Sequence, residues 1–130
     1  MEIEISINRS PDIEKLILLF QQVGWNDKTD MARIRSMVQN SDIIVTAWDN
    51  EEMVGFARCT TDYTSNGQIN NVVVDKKYKG KGIGKKLIRK ILGSSNKVAY
   101  ILRADSDNID FYKKLGFEKA DLAVIYKRKQ

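Results

Sequence analysis

The stretch Asn71–Lys86, NVVVDKKYKGKGIGKK, decides the fold. Its three valines predict a buried β-strand, and a lysine-rich turn with three alternating glycines follows. Apolar residues then recur with the period of a helix, at Ile83, Leu87, Ile88, Ile91 and Leu92. Glycines let a ligand approach the backbone, and the free N–H groups and dipole of a helix N-terminus favour an anion. Because the turn is rich in lysine, the stretch predicts a loop that binds a polyphosphate.

The composition of the whole chain narrows the class of protein. Its 130 residues fit one domain, 1–130, and a single cysteine, Cys59, suits a reducing cytoplasm. The chain has no histidine, which excludes histidine-activated nucleophiles and makes a metal site unexpected. We also expect no membrane span, because no apolar run is long enough, and no signal peptide, because the N-terminus is acidic. Despite the net charge of +5, we expect no nucleic-acid partner, because one phosphorylated ligand at the glycine loop explains the lysines better.

Hydrophobic periodicity and turn residues predict the element order β-α-α-β-β-β-α-β-α-β-β. The predicted strands cover residues 2–8, 43–48, 53–61, 68–75, 98–102, Phe117 and 122–126, and the predicted helices begin at Ser10–Pro11, Thr29–Asp30, Ile83 and 105–108. Short turns join the three central strands, so these strands should form an antiparallel meander. The strand after the crossover helix should run parallel to the strand before it.

Two well-known phosphate-binding loops fit this stretch poorly. A P-loop needs four residues between its glycines and a Ser or Thr after the lysine, but three residues separate Gly80 from Gly84, and Lys86 follows Lys85. A dinucleotide-binding fingerprint needs Gly-x-Gly-x-x-Gly directly after its strand, whereas five polar residues intervene here. Asp105 could serve as the ribose-binding acid of such a site, so the dinucleotide alternative stays open at this point.

Three groups of residues resemble signatures of the GCN5-related N-acetyltransferase (GNAT) family. Residues 79–84, KGKGIG, resemble its Gln/Arg-x-x-Gly-x-Gly/Ala loop, and residues 72–75 resemble its fourth strand. Asn108 and residues 111–117, FYKKLGF, resemble its asparagine and Phe-Tyr helix. The likeness extends over all 130 residues, because the predicted element order is also that of the family. Lysine replaces the usual Arg or Gln at the start of the loop, and Lys76 replaces a proline that commonly follows the strand.

The resemblance implies an α/β fold with a mixed, mostly antiparallel central sheet and helices on both faces. It also implies a parallel pair of strands that splays around acetyl-CoA, with no metal. The residues that it implies for binding acetyl-CoA are Val72, Val73, Val74, Lys79, Gly80, Lys81, Gly82, Ile83, Gly84, Lys85 and Asn108. Tyr112 matches the tyrosine that protonates the departing sulfur. The valines would act through their main-chain groups. The N–H near Val73 or Val74 would polarise the thioester carbonyl.

The acceptor is less clearly specified by the sequence. The resemblance implies transfer of acetyl to a primary amine of a small molecule or peptide, and a non-catalytic acetyl-CoA-binding module of the same fold is the alternative. Trp25, Asp62 and Asn70 are the candidates for binding the acceptor. Some members carry a glutamate on the fourth strand as general base, but this chain has Gln68, Asn70 and Asn71 there, so water or Asp62 is considered instead. Monomer and homodimer are both compatible with the sequence.

Overall fold

The computed structural model describes residues 2–25 and 30–129 and contains one mixed five-stranded sheet in the order β1-β2-β3-β4-β5. The strands are β1 (Glu4–Ser6), β2 (Ile43–Asp49), β3 (Glu52–Thr61), β4 (Asn66–Val74) and β5 (Ala99–Leu102). The helices are α1 (Ile13–Gln22), α2 (Met31–Gln39), α3 (Ile83–Leu92) and α4 (Ile109–Lys114), with short 3₁₀ turns at Lys76–Tyr78 and Ser106–Asn108. The first four strands are antiparallel neighbours, and β5 runs parallel to β4. The predicted antiparallel meander and parallel pair are therefore confirmed.

The sheet carries a separate apolar core on each face. The amphipathic helix α3 packs on one face against alternate residues of β2 and β3. Helices α1 and α2 cover the opposite face, where Phe20, Phe56 and Met53 are fully buried. Gly55 allows α3 to pack closely on β3, because a Cβ at this position would lie 3.2 Å from side-chain atoms of both Ile83 and Leu87. Helices on both faces agree with the prediction.

The two parallel strands separate from one another along their length. Their ladder runs from the pair Asn66 and Ala99 to the pair Ile69 and Leu102, and then ends. Strand β4 continues to Val74 and remains paired with β3, so among the described residues no strand lies beside the other edge of its second half. The expected splay between β4 and β5 is present.

Two details of the predicted element order are wrong. Helix α1 is capped by Asp12 rather than Ser10, since the Asp12 carboxylate accepts a hydrogen bond of 3.1 Å from the N–H of Lys15. The strands predicted at Phe117 and 122–126 do not form in the described residues. Apolar alternation favours a strand only where the segment also pairs with a neighbouring strand. The only strand that pairs with β5 in the described chain is β4, so the terminal segment does not pair with the outer edge of β5. Leu122 and Val124 are consequently fully exposed.

No helix within residues 2–25 and 30–129 is long and apolar enough to cross a membrane.

Candidate active site

The turn before α3 presents an uncovered helix N-terminus. Gly80 and Gly82 have positive φ angles of 80° and 78°, and a Cβ built on either would meet no atom within 4 Å. Gly82 occupies the N-cap position, where no side chain accepts a hydrogen bond from the first turn. The first intrahelical bond runs from the N–H of Lys86 to the carbonyl of Gly82, so the N–H groups before it have no helical partner. The turn therefore offers open space and aligned donors to an anion.

A buried carboxylate fixes the chain between β4 and this turn. Asp75 is 2% exposed, accepts the N–H of Lys77 at 3.1 Å and forms an ion pair of 3.0 Å with Lys15. Burial opposes its ionisation, but the Lys77 hydrogen bond and the contacts with Lys15 and Gln22 outweigh burial and lower its pKa. Gln22 also accepts the N–H of Lys76 at 3.0 Å. These bonds hold the turn in place although it lacks the proline common in the resembled family.

A second anchor of the same turn comes from Tyr78. Its hydroxyl donates a hydrogen bond of 2.6 Å to Oδ2 of Asp49, at the end of β2. This bond to a carboxylate raises the pKa of Tyr78 to about 12, so the hydroxyl remains a donor at neutral pH. The glycine loop thus starts from a turn that is attached to both β2 and α1.

The unpaired edge of β4 turns main-chain groups towards the gap. The N–H of Asp75 donates to the carbonyl of Val54 on β3 at 2.8 Å. Because main-chain groups alternate in direction along an antiparallel strand, those of Val74 point to the opposite side, where β5 has splayed away. The same alternation turns the main chain of Val73 towards β3. Val74 is therefore the better candidate of the two for polarising a carbonyl in the gap.

A cavity of about 580 Å³ occupies this gap between the diverging strands. Its walls include the second half of β4, the segment after β5 and the start of α4. The charged and amide side chains at the wall belong to Arg58, Gln68, Asn70, Asn71, Arg103, Asp105, Asn108 and Arg128. The glycine turn lies close to the same strand, since a Cβ on Gly84 would lie 3.8 Å from Cγ2 of Val74 and 3.6 Å from the ring of Phe111. The turn and the cavity therefore adjoin along β4.

Tyr112 lies at the wall of the cavity and packs on one side against aromatic rings. Its ring makes edge-on contacts with Phe111 and Phe117, with centroids 5.0 and 5.7 Å apart. Burial raises its pKa, because desolvation disfavours the phenolate. The tyrosine therefore keeps its proton at neutral pH. Asn108 also lines the cavity but is exposed, and its side chain does not cap α4.

The structure brings some predicted acceptor residues to the cavity and places another elsewhere. Trp25 and Asn70 line the cavity, and Trp25 also packs edge-on against Phe20 at 5.3 Å. Asp62 lies in the β3–β4 loop and is not part of the cavity wall. Its carboxylate accepts hydrogen bonds from the hydroxyl and N–H of Ser65, which are the largest causes of its lowered pKa. A carboxylate held in this way is a weak candidate for a general base.

The remaining predicted residues have simple surroundings. Lys79, Lys81 and Lys85 are all exposed around the turn, where their charges can reach an anion. Cys59 is fully buried in the core beneath α3, and burial is the main cause that raises its pKa to about 11. A buried thiol of this kind is a packing residue. Within residues 2–25 and 30–129, no group of three or more Cys, Asp and Glu side chains could hold a metal ion.

These features fit the parts of acetyl-CoA. Its phosphates match the open glycine turn with exposed lysines, and its extended arm matches the unpaired edge of β4. A family model described as "Acetyltransferase (GNAT) domain" matches residues 40–119, well over half of the chain. The chain belongs to the GNAT family.

Relatives and solved structures agree with this GNAT assignment. The chain is 33% identical over 125 residues to "Uncharacterized N-acetyltransferase ycf52" of Pyropia yezoensis, covering 91% of this chain and 71% of the relative. It is 31% identical over 121 residues to "Histone acetyltransferase TAP1" of Glycine max, covering 82% of this chain and 52% of the relative. A structure of a probable acetyltransferase, SA2161 from meticillin-resistant Staphylococcus aureus, matches with a TM-score of 0.85 at 22% identity over 98% of this chain and 100% of that one. The chain therefore spans 71% of the length of the Pyropia yezoensis relative and 52% of the length of the Glycine max relative.

Sequence reasoning missed several residues of this GNAT cavity. Arg58 stands among buried residues on β3, and this departure from apolar character was the available signal. Asn71 adopts a positive φ of 53° where the β3–β4 register shifts, and the only local signal was that asparagine adopts positive φ more readily than most residues. Arg103 follows the strand predicted at 98–102, and Arg128 follows the strand predicted at 122–126. Their approach to the cavity depends on tertiary structure.

Proposed function

We propose that this chain is an N-acetyltransferase that moves an acetyl group from acetyl-CoA directly to a primary amine of a small molecule or peptide. The observation that carries the proposal is that an uncapped, glycine-lined helix N-terminus adjoins a cavity between splayed strands, with a protonated tyrosine at its wall. Membership of the GNAT family supports acetyl transfer in general. The particular reaction, the amine and the use of acetyl-CoA are our proposal.

The residues of the glycine turn would hold the phosphates of the donor. The N–H groups of Gly82, Ile83 and Gly84 would bind them, because these donors precede the first intrahelical hydrogen bond and a Cβ on Gly82 would meet no atom within 4 Å. Lys79 and Lys81 would supply opposite charge from the exposed side of the turn. Val72 and Val74 would bind the extended arm through their main-chain groups at the free edge of β4. When bound, acetyl-CoA would supply a thioester whose acetyl group is activated for transfer.

Tyr112 would hold the proton that the leaving group needs. Its hydroxyl is protonated at neutral pH, because burial raises its pKa, and it lies at the wall of the same cavity. A thiolate leaves more readily when a positioned acid donates a proton. The N–H of Val74 would stabilise negative charge that develops on the carbonyl oxygen.

The incoming amine must lose a proton before it attacks. Asp105 is the one carboxylate that the described part of the chain brings to the cavity wall. We propose that the proton passes to Asp105 directly or through water in this open cavity, a role for which Asp62 lies in the wrong place.

The expected cytoplasmic location remains a prediction, and one relative, from Arabidopsis thaliana, is named chloroplastic.

An amine panel tests the proposed reaction. The purified chain is mixed with acetyl-CoA and with polyamines, arylalkylamines, amino sugars or short peptides, and thiol release is followed together with the mass of each amine. We expect at least one amine to be acetylated with stoichiometric release of CoA. Binding of acetyl-CoA without transfer to any amine would contradict the enzyme and favour the non-catalytic module.

A further inference from the structure

Arg58 is a cationic side chain among the buried residues of β3. It lies between the buried residues Ala57 and Cys59, and its own side chain is half-buried on the face covered by α1 and α2. Burial of the guanidinium lowers its pKa, which means that the charged form is partly desolvated. No ion pair joins Arg58 to a carboxylate within residues 2–25 and 30–129. A half-buried, partly desolvated charge without a partner of opposite charge is unusual in a purely structural role.

The contacts of Arg58 hold it without neutralising it. Its Nε donates a hydrogen bond of 2.7 Å to Oδ1 of Asn71, and one terminal nitrogen donates a longer bond of 3.4 Å to the hydroxyl of Ser41. Both acceptors are uncharged. Asn71 is itself fixed at the bulge of β4, with φ of 53°. Since a guanidinium has five N–H donors, these two bonds orient the group and leave donors for an incoming ligand.

The position of Arg58 places it on the acceptor side of the cavity. It shares the cavity wall with Tyr112, but it faces the α1–α2 side of the sheet, opposite the helix α3 that carries the glycine turn. Arg103 lines the same cavity, and Asp105 is the only acid at the wall among the described residues. Within that part of the chain, Arg58 and Arg103 outnumber Asp105 at the wall, and this balance favours a negatively charged group.

We propose that Arg58 binds an anionic group of the acceptor, a carboxylate or a phosphate carried by the same molecule as the reacting amine. The planar guanidinium matches both groups because it can donate two parallel hydrogen bonds to either. Asn71 acts as the positioning residue that holds the Nε edge. This inference rests on the proposed acetyl transfer and narrows its substrate class from amines in general to amines that carry an acid.

Paired amines test this inference directly. Initial rates are measured with tyrosine against tyramine, which differ by a carboxylate, and with glucosamine 6-phosphate against glucosamine, which differ by a phosphate. For at least one pair, we expect a kcat/KM at least about tenfold higher for the anionic member, because a charged hydrogen bond is lost with the neutral one. The preference should decline as salt is added, and the pair that shows it identifies the anion. Equal kcat/KM values within both pairs would overturn the proposal.

Variants separate Arg58 from the other positive charges. In Arg58→Gln the kcat/KM ratio within the preferred pair should fall towards one, whereas Arg58→Lys should keep part of it because it retains the charge. Arg35→Gln removes the same charge from an exposed position of α2 that does not line the cavity, and should keep the full ratio. A ratio that is unchanged in Arg58→Gln would refute the proposal. Circular dichroism and urea unfolding check that each variant is folded.

A binding measurement distinguishes failure of this inference from failure of the proposed reaction. If none of the four amines is acetylated, the stability of the CoA-saturated chain is measured with N-acetyltyrosine, N-acetyltyramine and the matching pair of acetylated sugars. Stabilisation by an anionic member alone, lost in Arg58→Gln, would support the anion site although the proposed reaction had failed with these amines. Equal effects of the anionic and neutral members would overturn the anion site.

Discussion

Substitution of Gly82 with valine tests the glycine turn most sharply. Gly82 has φ of 78°, and a left-handed conformation costs an L-residue about 1–2 kcal/mol. A Cβ there would meet no protein atom within 4 Å, so we expect Gly82→Val to fold with a stability loss of about that size and little more. The added side chain would instead fill the open space in front of the helix N-terminus.

The expected effect on binding is much larger than the effect on folding. Loss of two charge-assisted hydrogen bonds, each about 1.5–3 kcal/mol, should weaken acetyl-CoA binding about 100-fold or more. Isothermal titration calorimetry measures this change. Gly24→Val is the matched control, because Gly24 has φ of 81° and equally open surroundings but lies at the end of α1. The reasoning is refuted if Gly82→Val, once shown to be folded, binds within about threefold of wild type, or if Gly24→Val loses affinity to the same degree.

Two further predictions concern titrating groups. Tyr112→Phe should lower kcat about 100-fold, because the proton donor is lost. The Kd for acetyl-CoA should change little, because the ring packing is kept. Unchanged turnover with the best amine would remove Tyr112 from the mechanism. In wild type, kcat should decline at alkaline pH above the raised pKa of Tyr112, and Tyr112→Phe should lack that alkaline decline. Asp75→Asn should destabilise the fold by about 2 kcal/mol at neutral pH in urea unfolding, because Lys15 keeps Glu52 as a partner but loses the buried carboxylate. The pKa of Asp75 is lowered in the folded state, so its carboxylate stabilises the fold fully above the unfolded pKa of about 4. This stabilisation is lost as pH falls through the folded pKa, and the difference in free energy of unfolding between wild type and Asp75→Asn should shrink there. A difference that does not change with pH would contradict this assignment.

The fold could be predicted largely from the sequence, because local patterns dictate most of it. Alternating apolar residues and capping residues specify the central strands and helices, and the glycine spacing specifies the turn before α3. The terminal strands could not be predicted in this way, since a strand forms only where its main chain pairs with a neighbouring strand, and apolar alternation along the chain does not determine that pairing. Val124 satisfies the pattern and is nevertheless fully exposed.

The candidate site likewise has one part that could be predicted from the sequence and one part that could not. Most residues of the proposed donor side are contiguous, so residue types and local spacing could suggest the glycine turn, and a second local motif could suggest Tyr112. The proposed acceptor side is assembled from distant strands and from a bulge at Asn71, which spacing along the chain does not reveal. Asp62 shows that residue type alone does not give the position of a side chain. A carboxylate suits a general base, but that of Asp62 accepts hydrogen bonds from Ser65 within the β3–β4 loop.

The most direct test of the central claim is whether acetyl-CoA stabilises the folded chain. Urea unfolding is measured with and without acetyl-CoA, after calorimetry has given the Kd. At a free concentration of 100 times the Kd, binding to the folded state alone should raise the free energy of unfolding by about 2.7 kcal/mol. Absence of any detectable binding, with no increase in stability at millimolar acetyl-CoA, would contradict the assignment of the glycine turn and the β4–β5 gap as the donor site.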